Sequence, residues 1–457
     1  VRRGGLYSAR TLKEKRTALN NREVLALVSL TVVVSGFLGF QIRASLVSSP
    51  LGAMEAIGPV TTASYVISVE GSTVYARSGA TGETVYSGTD AAAVLQDVTD
   101  ALTNGGRIFI RSGTYRITKT ISLGDKVVVE GESVGHHATN AGVVLEQAVD
   151  NHLITISNRI FCGLSHLTLH GRKDLYASGK GILINGSFGS GYHYIEDVYI
   201  DNFKENGFEV QSEVTEVFAQ RIISNNNDAN GFWIAGGNHR FIGCIAGGNA
   251  YNGFQLLDGE SQYVGCAGWS NGYYGFYLTA GCNGLEILGQ AYDNHGAGIC
   301  LEETPPGYPP LKNLIYLNSY DNNKGVLIRG GSENIIHGLV TEVVKGKQPY
   351  GVVIEGGRNN ILDLESFGHG SSDWAFTSGT YLLVGGQGLK HHGRAPVPEG
   401  AKSVTVAHGL VATPSSVRAT PEWDTTCYLS AKNGTHVTFT FGTSAPPGAY
   451  VDWEADV

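Results

Sequence analysis

The sequence predicts an all-β chain whose body is a β solenoid, and three observations predict it. Glycine supplies 63 of 457 residues, about twice the usual share of roughly 7%, and tight turns are where glycine is needed. Charged residues are 16% and hydrophobic residues 42%, the balance of a folded chain rather than a disordered one. Most specifically, one phrase recurs, a glycine followed by apolar-x-apolar. It reads GILI from Gly181, GFEV from Gly207, GFWI from Gly231, GFQL from Gly253, GFYL from Gly275, GICL from Gly298, GVLI from Gly325 and GVVI from Gly351. The spacings are 26, 24, 22, 22, 23, 27 and 26 residues, with no helical periodicity inside them. A period of about 20–50 residues marks a solenoid, and the missing helix makes it a β solenoid.

Ahead of the repeats the chain carries an address. Residues 1–23 form a basic tail with Arg2, Arg3, Arg10, Lys13, Lys15, Arg16 and Arg22. Residues 24–42 open on VLALVSLTVVVSGFLGF, 17 residues without a charge. At 1.5 Å per residue that run covers about 25 Å of a bilayer core of roughly 30 Å. From Ala44 to Ala76 there is no Lys or Arg. The positive-inside rule therefore expects a cytoplasmic tail, a membrane anchor over 24–42 and an extracellular remainder. A cleaved signal peptide is the rival reading, but its apolar core is normally about 7–15 residues and ends at an A-x-A site, which is missing here. The stretch Ala18 to Glu23 before the apolar run resembles a type IV prepilin processing site, with Thr17 where a charge is usual. Residues 43–88, rich in Ser, Thr, Gly and Ala with short β runs, read as a spacer.

Residues 89–385 are the solenoid. At its start, residues 90–103 place Val94, Leu95, Val98, Ala101 and Leu102 on one helical face, with Asp90 as N-cap and Gly105-Gly106 as the stop. Superposed repeats align Phe208, Phe232, Phe254 and Phe276, with Val210, Ile234, Leu256 and Leu278 two residues on. Alternation sends both sets inward as stacked ladders. Asn227, Asn249, Asn271 and Asn294 each stand four residues before the glycine, where their amides can bond from coil to coil. Cys244 and Cys266 are also in register, as stacked thiols or a disulfide. The six cysteines (with Cys162, Cys282, Cys300 and Cys427) are too few for a disulfide scaffold, and none forms a CxxC pair. Residues 386–400 read as a Gly/Pro/polar linker and 401–457 as a C-terminal β module with four alternating runs, SVTVAHGL, SSVRAT, HVTFTF and AYVDWEA.

The segment NGGRIFIRSGTYRITKTISLGDKVVVEGES that follows the helix resembles the opening of the pectate-lyase-like family, in which GG-x-[IV]-x-[IV]-x-x-G-x-Y is the first coil. The asparagine column and the glycine repeat are similar to those of the same superfamily. The resemblance spans roughly residues 85–385. It implies a right-handed parallel β-helix of about ten coils with an N-terminal capping helix. It implies no single activity, because lyases, hydrolases, phage tailspikes and adhesins share this architecture. The VTVAHGL-x-x-TP pattern and aromatic last strand of the C-terminal module resemble small β-sandwich modules of viral tail fibres and archaeal surface proteins.

Of the NTD, DD, GHG and RIK motifs of polygalacturonase-type β-helices, only Gly368-His369-Gly370 is present, at the solenoid's end, and it reads as a turn. A lyase of this fold pairs an Arg or Lys base with carboxylates that hold Ca²⁺, so Ca²⁺ is the one cofactor the resemblance brings in. No metal-ligand set is read from the residues themselves; the vicinal pairs His136-His137 and His391-His392 lack a third ligand. The second and fourth residues after each glycine face outward. They include Glu209/Gln211, Trp233/Ala235, Gln255/Leu257, Tyr277/Thr279, Cys300/Glu302, Leu327/Arg329 and Val353/Glu355. One constellation stands out. Trp233 and Tyr277 lie two coils apart, about 10 Å, and Glu302, Arg329 and Glu355 follow on consecutive coils, with Asp258 and Glu303 one position further on. Aromatic rings stack on sugar faces, while a carboxylate–arginine group handles protons or an acidic sugar. Glu302, Arg329 and Asp258 are thus the candidate catalytic residues, and Trp233, Tyr277, Glu303 and Glu355 the candidate substrate-binding ones. The plainer reading is a surface ion-pair ladder worth little in stability. Tyr251 and Tyr273, two residues before their glycines, would extend a sugar platform, and the insert TPPGYPP (304–310) would wall it. Asn185-Gly-Ser and Asn433-Gly-Thr are glycosylation sequons.

Residues 1–43 carry eight Lys/Arg and two acids, a net +6, while residues 44–457 carry 24 and 39, a net −15. An acidic body argues against nucleic acid as the main partner. Two function classes are expected. One is a membrane-anchored cell-surface protein that binds an extracellular polysaccharide, with cleavage by a lyase or glycoside hydrolase mechanism left open. The other is a non-catalytic appendage or adhesin subunit, tailspike-like or pilus-like, for which a homotrimer would speak.

Overall fold

The computed structural model describes residues 63–135, 142–369, 371–376, 381–385, 390–408 and 413–456. The basic tail, the apolar run 24–42, most of the spacer and His136-His137 lie outside the described residues. Among those described, no helix is long and apolar enough to cross a membrane.

The solenoid is as the repeat predicts. Each repeat phrase is a strand: Ile182–Asn185, Phe208–Val210, Phe232–Gly237, Phe254–Gly259, Phe276–Leu278, Ala297–Leu301, Lys324–Ile328 and Tyr350–Ile354. Each pairs in parallel with its counterpart one coil on, Phe208 against Phe232, Phe232 against Phe254 and Phe254 against Phe276. A second parallel sheet stacks Gln262–Trp269, Glu286–Tyr292, Leu314–Tyr320, Ile335–Thr341 and Asn360–Phe367 in the same way. The result is a right-handed-type β-solenoid of about 11 turns. Its interior is one continuous apolar core from Ile67 to Trp374. The phenylalanine column is stacked as expected, Phe232 on Phe254 at 4.6 Å and Phe254 on Phe276 at 4.9 Å between ring centres. Each such pair contributes about 0.5–1.5 kcal/mol beyond area burial.

Three asparagine ladders run along the turns. The predicted one passes a bond from the amide of Asn227 to Asn249 (2.9 Å), then to Asn271 (3.0 Å), Asn294 (2.9 Å) and Asn322 (2.8 Å). The backbone N–H of Asn322 then donates to Gln348 Oε1, and His369 stands next, its Nδ1 3.4 Å from Gln348 Nε2. His369 of the GHG triplet is thus the end of a ladder, buried to 0% side-chain exposure. Two further ladders join Asn313, Asn334 and Asn360, and Asn206, Asn230 and Asn252. The ladder explains the repeat glycine. A Cβ on Gly231 would lie 2.8 Å from the amide nitrogen of Asn249, and one on Gly253 the same distance from that of Asn271. Cys244 and Cys266 are neighbours in register as free, buried thiols.

At the N-terminal end α1, Ala91–Ala101, starts on Asp90, whose carboxylate accepts from the N–H groups of Ala92 and Ala93. Part of the expected spacer is structured. Tyr65–Glu70, Thr73–Ser78 and Thr84–Gly88 form an antiparallel run, and Tyr65–Ile67 pairs with Ile108–Ile110 of the first coil. Ile67, Val74 and Ala76 are buried in the solenoid core. The expected linker also differs, because Lys390–Pro396 is a strand antiparallel to Tyr450–Asp456. Its KHHGRAP sequence joins through backbone bonds and offers little apolar alternation to read. The C-terminal module has two three-stranded sheets, the other made of Ser403–Ala407, His436–Phe441 and Cys427–Lys432. Val437, Phe439, Phe441, Val451 and Trp453 lie in its core.

Candidate functional site

The outward face of the repeat sheet carries the candidate residues. Register aligns Glu209, Trp233, Gln255, Tyr277, Cys300, Leu327 and Val353 in one column parallel to the solenoid axis. Two residues on, Glu302, Arg329 and Glu355 follow from coil to coil. The structure brings these together with Tyr277. The Tyr277 hydroxyl donates to Glu302 Oε2 at 2.7 Å. Arg329 Nε donates to Glu355 Oε2 at 2.9 Å, its Nη1 donates to the Tyr274 hydroxyl at 3.3 Å and lies 3.8 Å from Glu302 Oε1. The Tyr274 and Tyr277 rings meet at 5.1 Å, tilted by 45°. Tyr251 and Tyr273, both exposed, continue the aromatic group at 5.7 Å and 58°, and Tyr273 reaches Tyr274 at 6.3 Å.

Beneath this network Cys300, Leu327 and Val353 point outward yet are only 0%, 1% and 7% exposed, and Tyr274 and Tyr277 pack against them. The strip therefore has an apolar floor, a tyrosine flank and a charged rim. Trp233, half-buried, sits two coils from Tyr277 with Gln255 between them, and among the described residues no other ring stacks on it. Beyond it Glu209 takes Lys180 at 3.1 Å and accepts from Asn206 at 2.7 Å.

Protonation follows from these contacts. The bond from Glu355 raises the pKa of Arg329 above its ordinary value, so its guanidinium is a fixed cation and a poor base. Burial first, then Glu302, pushes the Tyr277 hydroxyl up, and burial does the same to Tyr274. Burial also pushes the Cys300 thiol up to about 12, which makes it unreactive.

Two expected members stand elsewhere. Asp258 is inside the solenoid, fully buried, because it lies an even number of residues after the inward Phe254. There it accepts from the Tyr263 hydroxyl at 2.9 Å, and burial pushes its carboxyl up to about 7. It cannot share a substrate with Glu302. Glu303 turns into the 304–310 insert, where its Oε1 accepts from the N–H of Gly307 at 2.6 Å. Tyr274 is the member that sequence reading missed. Its position matches Asn252 of the third ladder, and a ring in place of a ladder amide was the available signal.

A second row of rings on the other sheet is of a different kind. Trp269, Tyr292 and Tyr320 stack nearly parallel, at 6.3 Å and 10° and at 4.9 Å and 1°. Trp269 also covers Gly247, where a Cβ would stand 2.3 Å from the indole. Both faces of Tyr292 are taken by its two neighbours in the stack. No group of three His, Cys, Asp or Glu placed to hold a metal occurs among the described residues.

Comparison with solved structures finds related folds. The Azotobacter vinelandii mannuronan C-5 epimerase A-modules of AlgE6 and AlgE4 align over 65% of this chain and over 91% and 93% of theirs. Their identities are 14% and 16%, each with a TM-score of 0.48. The Dettilon tailspike protein aligns over 80% of this chain and 91% of its own, at 12% identity and a TM-score of 0.46. No family model and no curated protein matches the sequence. With parallel pairing carried from coil to coil and asparagine ladders at its turns, the solenoid is a parallel β-helix.

Proposed function

We propose that this chain is a membrane-anchored cell-surface protein that binds an extracellular polysaccharide along the outward strip from Trp233 to Glu355. The observation that carries the reading is the strip itself: the buried outward column Cys300–Leu327–Val353, flanked by Tyr274 and Tyr277 and rimmed by Glu302, Arg329 and Glu355. Aromatic rings and a few fixed polar groups are what a sugar needs, and the buried column beneath holds the two tyrosines in place. A linear arrangement along successive coils suits a linear polymer. The anchor is the apolar run 24–42, whose length and basic flank support it.

Binding without cleavage is the form we favour. Arg329 is held as a cation and Tyr277 as a neutral donor, so neither is ready to take a proton at neutral pH. A glycan array read for binding and for released reducing or unsaturated ends, with and without Ca²⁺, tests this. Retention without products is expected; product release would make the chain an enzyme, and silence on every glycan would remove the reading.

A second reading, an appendage built from several copies, is supported by one observation. Phe188 is 91% exposed, and Phe161 and Tyr192, stacked at 5.1 Å, are exposed with Tyr194. Exposed aromatic groups mark assembly surfaces. Sedimentation of the full chain should then show a trimer that Phe188→Ser and Tyr192→Ser weaken; a monomer at all concentrations would remove it.

A further inference from the structure

We propose that the polysaccharide taken by this strip is uncharged, a hydroxyl-rich neutral glycan and not a uronan. The inference rests on the glycan-binding reading and adds the substrate class. Arg329 would be the natural partner of a uronate carboxylate, but its Nε is taken by Glu355, its Nη1 by the Tyr274 hydroxyl, and Glu302 lies 3.8 Å from Nη1, so two internal carboxylates already flank its charge. A sugar carboxylate would have to displace an internal one, or lie beside two of them. Over residues 297–303, 324–329 and 350–355 the acids are Glu302, Glu303 and Glu355 and the bases Lys324 and Arg329, three against two. Further along the face Lys180 is taken by Glu209 at 3.1 Å, and Lys173 and Lys204 by Asp228 at 3.0 and 2.8 Å. The body from residue 44 onward carries a net −15, so a polyanion is also repelled on approach.

What the strip offers is suited to hydroxyls. The carboxylate of Glu302 is an acceptor, held in place by the Tyr277 hydroxyl, with lone pairs to spare for sugar O–H donors. Gln255, half-buried between Trp233 and Tyr277, adds an uncharged donor and acceptor.

The test is retention of the full chain on immobilised neutral polymers (dextran, mannan, mixed-linkage β-glucan) and on polygalacturonate and alginate, at low and physiological salt. We expect retention on a neutral polymer, little changed by salt and about tenfold weaker in Tyr277→Ala, with no retention on either uronan. The paired substitution Glu302→Gln and Glu355→Gln keeps shape, removes two charges and frees Arg329, so uronan binding should appear. Thermal melts establish that the variant is folded, and Glu355→Gln alone serves if the pair is not. Uronan retention by the unsubstituted chain that weakens with salt and is lost in Arg329→Gln would overturn the proposal while leaving the glycan reading intact. Retention on none of the polymers would overturn both.

Discussion

Asp258 sits where a carboxylate is least comfortable, inside the solenoid, with one oxygen bonded by Tyr263 and the other without a hydrogen-bond partner. Its folded pKa of about 7 stands above the ordinary 3.8. The folded chain thus keeps a proton the unfolded chain gives up, and this contribution is full below about 3.8 and lost as pH rises through about 7. His193 and His239 run the other way. Burial lowers each to about 4 from 6.5, so their contribution is present above about 6.5 and lost as pH falls through about 4. We predict that Asp258→Asn melts higher than the parent chain by a margin that grows from about pH 5 to about pH 8. A constant margin over that range would contradict this account. Asp258 also shows what a residue-by-residue reading needs. The alternation that sends Phe254 and Leu256 inward sends Asp258 inward too, and counting it one position past an outward residue put it on the wrong face. Trp233, Tyr277, Glu302, Arg329 and Glu355, counted with the right parity, stand in the columns where the sequence placed them.

Among the elements, the ladder turn is the one that carries the repeat. Asn271 accepts from both the backbone and the side chain of Asn249 and donates to Asn294 and to the Ala246 carbonyl. Asn271→Ala leaves buried groups on both neighbouring coils unpaired and should cost about 1–3 kcal/mol per group left without a partner. Gly253→Ala forces a methyl against the Asn271 amide and the Gly275 carbonyl, an overpacking cost of about 1–3 kcal/mol. Denaturant unfolding followed by circular dichroism checks both, and midpoints equal to the parent's would remove the ladder as a stabilising element. The first ladder was readable because its asparagine keeps a constant distance from the glycine. The Asn313–Asn334–Asn360 ladder was not, because the same column earlier holds Val217, His239, Ser261 and Leu285. The strand Lys390–Pro396 was hidden for a related reason, since its pairing is carried by backbone groups that no side-chain pattern announces.

At the scale of the whole molecule the β solenoid follows from the period, while its parallel coils, about eleven where about ten were expected, follow from the resemblance. About eleven coils at roughly 4.8 Å each make a rod of about 50 Å whose outward column is a continuous track. The function does not follow from the fold, which serves many chemistries; the proposed function rests on what that track displays. The proposed anchor over residues 24–42 makes its own prediction. The full chain should sediment with membranes and resist extraction by salt, and removal of residues 1–42 should release it; an unchanged distribution would remove that proposal. For the central claim, the direct measurement is hydroxyl-radical footprinting of the full chain with and without a glycan selected from the array, read residue by residue by mass spectrometry. Protection is predicted at Trp233, Tyr274 and Tyr277 and none at Tyr292, which lies stacked between Trp269 and Tyr320. Protection confined to the Trp269–Tyr292–Tyr320 stack, or to the Phe161–Tyr192 flank, with Trp233 and Tyr277 labelled as in the free chain, would contradict it.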